Sequence, residues 1–328
     1  MNKKPLLISL LVLNSIFNPL FSQQPNGTIL STESFEITTT HENLSPFLQW
    51  KFPKYIWKRA QEQSKYECLK ITYQSDSLAV EGFIYKPKEI LANYPVIIYN
   101  RGGLGDQEKI SETDLIQFYD WAKAGFVVIA PNYRYINEMA AQDQWGGEEL
   151  TDVLSLFPLI RRLGYADPRN IFMVGKDRGA ILTAMCLRME QDIKAAVFLS
   201  GISDARLYLD NHPDLVKGSD DTQQHVGLEN ILPNFDNFQE VYCYERSPYL
   251  WADKLSRPKP TPILILHSRM DKQVSVKHAL KLAQALEQDG KIYSLVIYED
   301  SDHNLHRYRF EVNQKIIDWL NKYRYGSN

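Results

Sequence analysis

From residue 94 the chain alternates short, continuous apolar runs with longer amphipathic stretches. Pro95-Val96-Ile97-Ile98-Tyr99-Asn100 is apolar at successive positions, the pattern of a strand buried on both faces. Phe126-Val127-Val128-Ile129-Ala130, Asn170-Ile171-Phe172-Met173-Val174 and Ala195-Ala196-Val197-Phe198-Leu199 predict three more strands. Thr261-Pro262-Ile263-Leu264-Ile265-Leu266 and Tyr293-Ser294-Leu295-Val296-Ile297-Tyr298 predict the last two. Helical patterns fall between and after them, at 111–124, at Glu148 to Leu163, and at 178–190, 275–289 and 306–323. The first two end at Gly125 and Gly164, as helices commonly do. This order predicts an α/β class: a mostly parallel sheet covered by helices on both faces.

Upstream, residues 67–74 and 78–86 alternate with period two, and Gln74-Ser75-Asp76-Ser77 supplies turn chemistry between them. An N-terminal antiparallel hairpin is expected there. Residues 23–65 show no clear period; Tyr55-Ile56-Trp57 suggests a short packing segment or helix, and Pro46 and Pro53 punctuate the stretch. We read them as an N-terminal extension lying on a main domain of residues 66–328. Residues 202–260 break the alternation. A segment of that length between core strands is a lid or disordered, and its aromatics (among them Tyr208, Phe235, Tyr242, Tyr249 and Trp251) favour a lid-like ordered excursion over the carboxyl edge of the sheet.

The first 22 residues read differently. Asn2-Lys3-Lys4 is a short positive segment, Pro5 to Phe21 is mostly apolar, and Ser22 is a small residue at a cleavage point. This is the pattern of a secretory signal peptide. The run is shorter and more interrupted than a membrane span needs, so a secreted or periplasmic protein is expected, with no membrane attachment after cleavage. The 328 residues carry a formal net charge of −3 with scattered basic residues, so nothing asks for nucleic acid as a partner. Cys68, Cys186 and Cys243 are too few for a disulfide framework, and no Cys/His spacing suggests a metal site or cofactor. Nothing in the sequence sets an oligomeric state.

Chemistry concentrates at Gly175-Lys176-Asp177-Arg178-Gly179-Ala180, between a predicted strand and a predicted helix. Two glycines flank Asp177 at the spacing of a nucleophile elbow, where the central residue is held in strained geometry. Alone the motif is weak, since an Asp can simply cap a helix. Asp271 follows one core strand and His303 follows the last. The chain order is then nucleophile position, acid, histidine, as the α/β-hydrolase fold requires.

The region from about residue 78 to 323 resembles the catalytic domain of prolyl oligopeptidase-like serine hydrolases. Tyr99-Asn100-Arg101-Gly102-Gly103, Gly146 to Val153, Arg246-Ser247-Pro248, His267 to Asp271 and Asp302-His303 carry the resemblance. So does the segment 175–180, which looks like that family's Gly-His-Ser-Arg-Gly-Gly elbow. The resemblance implies hydrolysis of peptide or ester bonds without a cofactor. It implies that Asp271 orients His303 toward residue 177, and that an oxyanion hole lies near Asn100 to Gly103, including Gly102 and Gly103, completed by the Arg178 N–H. The chain departs from the pattern in lacking a preceding β-propeller, in Lys176 and Ala180, and above all in Asp177 at the serine position.

A carboxylate attacking a peptide carbonyl would give an anhydride. The intermediate would then expel the weakly basic carboxylate rather than the strongly basic amine. Two other readings stay open. Asp177 could form an alkyl ester on saturated carbon, as in haloalkane dehalogenases and epoxide hydrolases, although their His-Gly-x-Pro stretch is here Asn100-Arg101-Gly102-Gly103. Or the chain is a pseudoenzyme, with His303 held as imidazolium between Asp177 and Asp271, unable to act as a base. Arg101 could bind a substrate carboxylate or salt-bridge to Glu148 or Asp152. Lys176 could keep Asp177 ionised, but a solvent-exposed lysine is the preferred reading. His306 is expected on the exposed surface and His267 packed at its strand end.

Overall fold

The computed structural model describes residues 24–189, 192–218, 226–255 and 260–326. The signal peptide read at residues 1–22 lies outside them. Among the described residues, no helix is long and apolar enough to cross a membrane.

Among the described residues, nine strands form one sheet. In chain order they are β1 (Ile29–Ser34), β2 (Tyr66–Ser75), β3 (Leu78–Pro87), β4 (Tyr94–Asn100), β5 (Val127–Pro131), β6 (Ala166–Lys176), β7 (Ile193–Leu199), β8 (Ile263–Ser268) and β9 (Tyr293–Tyr298). The spatial order is β1-β2-β3-β5-β4-β6-β7-β8-β9. The pairs from β1 to β5 are antiparallel, and all pairs from β5 to β9 are parallel. The predicted hairpin is β2–β3, closing at Ser75 opposite Leu78 with Asp76 at φ +49°.

The extension supplies β1, a 3-10 turn at His41–Asn43, α1 (Pro46–Lys51) and α2 (Lys54–Gln61). Ile56, Trp57 and Ala60 of α2 are buried, and Trp57 Nε1 donates to the Thr39 carbonyl at 2.9 Å. β1 was not legible: as an edge strand it pairs on one side only, and five of its six residues are exposed.

The pleat explains the continuous apolar runs. In β4, Val96 and Ile98 pack into one core while Ile97 and Tyr99 pack into the other. β6 does the same with Ile171 and Met173 against Phe172 and Val174. α3 (Asp114–Lys123) covers the second face with α2. The helix expected over 148–163 is two, α4 (Leu150–Leu154) and α5 (Leu156–Arg162). Pro158 has no N–H to give to residue 154, so the hydrogen-bond ladder breaks there. α6 (Gly179–Arg188) is buried at all but its last residue.

The excursion folds as α7 (Ala205–Asn211), α8 (Pro213–Lys217), α9 (Leu228–Ile231) and α10 (Phe235–Glu245), followed by a 3-10 segment at Pro248–Lys254. Arg246 ties it down by donating to the carbonyls of Trp145 at 2.9 Å and Gln144 at 3.1 Å. α11 (Lys277–Gln288) and α12 (Arg309–Lys322) complete the covering layers.

Candidate active site

Asp177 stands at the turn between β6 and α6 with φ +52°, a left-handed conformation unusual for a residue with a side chain. The turn is tight because its neighbours are glycines. A Cβ on Gly175 would lie 2.4 Å from the Gly179 carbonyl oxygen, and one on Gly179 would lie 2.1 Å from that of Asn100. The Asp177 N–H donates to the Leu199 carbonyl at 3.1 Å and its carbonyl accepts from Ile202 at 3.1 Å, so β7 and the chain after it hold the strained residue in place.

His303 and Asp271 meet as the sequence order requires. His303 Nδ1 and Asp271 Oδ2 are 2.8 Å apart. The other oxygen of Asp271 accepts from the N–H groups of Gln273 and Val274, each at 2.9 Å. The His303 loop is pinned by two hydroxyls: Ser200 donates to the His303 carbonyl and Ser268 to that of Ser301, both at 2.6 Å. His303 Nε2, the nitrogen that would take a nucleophile's proton, is buried with no hydrogen-bond partner among the described residues.

The Asp177 carboxylate is directed elsewhere. Its Oδ2 accepts from the Gly103 N–H at 3.2 Å. Gly102 lies against it, since a Cβ there would come within 2.9 Å of the same oxygen. The two glycines expected to hold an oxyanion therefore face the side chain at the nucleophile position. Arg178, the third expected member, follows at the start of α6 with its side chain turned into the protein.

Charge balance follows from burial. Burial raises the Asp177 carboxyl above its ordinary value despite the opposing charge of His303, and the negative charge of Glu108 adds to the rise. Burial disfavours imidazolium at His303, but the Asp271 hydrogen bond and the Asp177 charge outweigh it, leaving this histidine above its ordinary value. Asp271 is held below the usual range: its hydrogen bond and ion pair with His303 overcome the burial that would raise it.

Two charged neighbours change the picture. Lys176 is not a solvent-exposed side chain; its Nζ pairs with Glu108 at 2.8 Å, and 13% of the side chain is exposed. Glu108, with φ +54°, places its Oε2 2.4 Å from where a Gly102 Cβ would be. Sequence reasoning missed it, because a glutamate 69 positions from Asp177 in an unpatterned loop gives no signal. Tyr208 of the excursion was also not singled out as a site residue. Tyr208 and Asp271 line the same cavity, which brings the excursion to the site; burial raises the Tyr208 hydroxyl, and so do the charges of Asp177, Asp271 and Glu108.

Arg101 fits neither reading made of it. It is 1% exposed, and its guanidinium donates to the carbonyls of Gly102, Gly105, Gln107 and Asn132 at 2.6–2.9 Å. It shapes the glycine loop instead of meeting a substrate carboxylate. Asp152 and Glu148 pair with Arg134. The Arg101 and Arg178 guanidiniums both lie over the Tyr133 ring, at 5.0 and 5.1 Å. Arg178 pairs with Asp143 and Glu149, whose side chains are fully buried, and Asp143 accepts from the Gly105 N–H at 2.9 Å. This network joins the elbow to the glycine loop.

His267 packs at the end of β8 with Nε2 2.8 Å from the Val274 carbonyl. His306 is not an exposed surface residue: its side chain is 9% exposed and paired with Asp302. The three cysteines are free and buried. Among the described residues, no group of three or more His, Cys, Asp or Glu side chains is placed to hold a metal ion.

Sheet order, elbow, and the acid and histidine after β8 and β9 define an α/β-hydrolase. Residues 112–326 match the model of the prolyl oligopeptidase family, and the chain belongs to that family. It is 29% identical to the uncharacterized peptidase YtmA of Bacillus subtilis over 237 residues, 71% of this chain and 84% of that protein. It is 24% identical to dipeptidyl-peptidase 5 of Porphyromonas gingivalis over 224 residues, 64% of this chain and 30% of that protein. The acylaminoacyl peptidase of Pyrococcus horikoshii is similar in structure at TM-score 0.62 and 20% identity, covering 81% of this chain and 43% of that one. The chain thus spans most of YtmA but less than half of these two larger peptidases.

Proposed function

We propose that this chain is an exported member of the prolyl oligopeptidase family that binds peptides or esters at the Asp177–His303–Asp271 site without cleaving them by acyl transfer. Family members are hydrolases of the peptidase class, so peptide or ester ligands suit the cleft. The observation that carries the reading is the bond from the Gly103 N–H to Asp177 Oδ2. Acyl-transfer catalysis needs such donors free for the developing oxyanion. Here the Asp177 side chain takes one of them, and its charge works against burial to favour imidazolium at His303, a form that cannot act as a base. Export rests on the pattern of residues 1–22 alone.

A second reading is favoured by the same bond seen differently. A carboxylate with one oxygen anchored could attack saturated carbon with the other, and the donor would then stabilise hydrolysis of the alkyl ester. Activity toward short-chain nitrophenyl esters, small peptides, epoxides and haloalkanes separates the two. The binding reading expects no turnover by the native protein. Turnover of an epoxide or haloalkane that disappears in Asp177→Ala would establish the second reading.

A further inference from the structure

Asp271 borders a cavity of about 380 Å³ between α7 and the start of α11, within the range of ligand sites. Tyr208, Lys272, Lys277 and His278 also line it. The Tyr208 ring is fixed by stacking on Trp145, with centroids 5.4 Å apart, and on His212, at 4.1 Å.

His278 supplies the decisive feature. It is 1% exposed, and its Nδ1 accepts from the main-chain N–H groups of Ser203 at 3.3 Å and Asp204 at 3.2 Å. A nitrogen that accepts carries no proton, so Nε2 holds the N–H of the neutral ring. Burial pulls the His278 pKa down to about 4, which keeps the ring neutral near pH 7. Nε2 has no hydrogen-bond partner among the described residues, yet it is not one of the atoms sealed from solvent. It therefore presents a donor of fixed direction to the cavity. A donor held so deep in protein calls for an acceptor.

Charge says which acceptor. Lys272 and Lys277 are exposed, and neither has an ion pair among the described residues. Of the residues lining the cavity only Asp271 is acidic, and its oxygens are taken: one accepts from Gln273 and Val274, and the other meets His303. Asp204, beside the His278 ring, is paired with Lys281. The uncommitted charges at the cavity are thus both positive. We infer that this cavity binds an acidic side chain of a peptide held at the Asp177–His303–Asp271 site, its carboxylate accepting from His278 Nε2 and pairing with Lys272 and Lys277. This rests on the peptide-binding reading above and names its ligands as peptides that carry glutamate or aspartate.

Calorimetry on the full protein tests it with N-acetyl-Ala-Glu-Ala amide, the same peptide carrying glutamine, and glutarate. The glutamate peptide should bind about tenfold tighter than its glutamine twin, the gain from one charge-assisted hydrogen bond. Lys272→Gln and Lys277→Gln together, both at exposed positions, should remove that preference and leave the affinity for the glutamine peptide unchanged. The NMR signal of the His278 Nε2–H should shift when the glutamate peptide is added. Both peptides binding with equal affinity, or a preference that survives the loss of both lysines, overturns the site. Lysine-dependent binding of glutarate with no binding of either peptide keeps the site and overturns the peptide reading. No binding of any of the three overturns both.

Discussion

The main-chain N–H of Gly103 donates to Oδ2 of Asp177 at 3.2 Å, across 74 positions of sequence. The nucleophile position and the loop that should receive an oxyanion are thereby closed on each other. The acid–histidine pair remains in place beside them.

Asp177→Asn keeps the shape of that side chain and removes its charge. The charge supports imidazolium at His303, so the histidine pKa should fall in the variant. An NMR titration of the His303 ring should show the fall; an unchanged midpoint would mean that the two groups are not coupled.

The His303–Asp271 pair makes stability depend on pH. His303 has a folded pKa above its unfolded value of 6.5, so its contribution is complete below that value and is lost as pH rises through the folded pKa. Asp271→Asn should therefore destabilise the protein more at pH 5.5 than at pH 9. Denaturant unfolding at the two pH values measures it, and an equal loss at both would refute the linkage.

Arg178→Met leaves Asp143 and Glu149 buried with no arginine between them. Breaking a buried ion pair on one side costs about 3–5 kcal/mol. Urea unfolding should report a loss of that order, and the replacement of Arg178 by Lys should recover only part of it because a lysine cannot span both carboxylates in the same plane.

Gly179→Ala puts a methyl group 2.1 Å from the Asn100 carbonyl oxygen, a main-chain atom that cannot swing away. Overpacking of this kind costs about 1–3 kcal/mol and sometimes more. A lowered melting temperature is expected, and a variant as stable as the native protein would mean that the elbow can widen.

The sequence revealed what depends on chain order and local spacing. Gly175 and Gly179 around Asp177, with Asp271 and His303 each just after a core strand, located the centre because strand ends in a parallel sheet share one edge. Glu108 and Lys176 were hidden, because their pairing is set by how a loop with several left-handed residues folds back. Arg101 was misjudged for a related reason. A guanidinium bonded to main-chain carbonyls leaves no acidic partner to be noticed in the sequence. β1 escaped because one-sided pairing and exposure remove the apolar alternation that marks a strand.

On the proposed function, Asp177 alone withholds acyl transfer from an otherwise assembled site. Labelling with a fluorophosphonate probe tests it most directly, comparing the native protein with Asp177→Ser. No label is expected on the native chain, and label is expected on the serine of the variant, lost again when His303 is replaced by Ala. An unlabelled but folded Asp177→Ser variant, or a native chain that labels as readily, would contradict it.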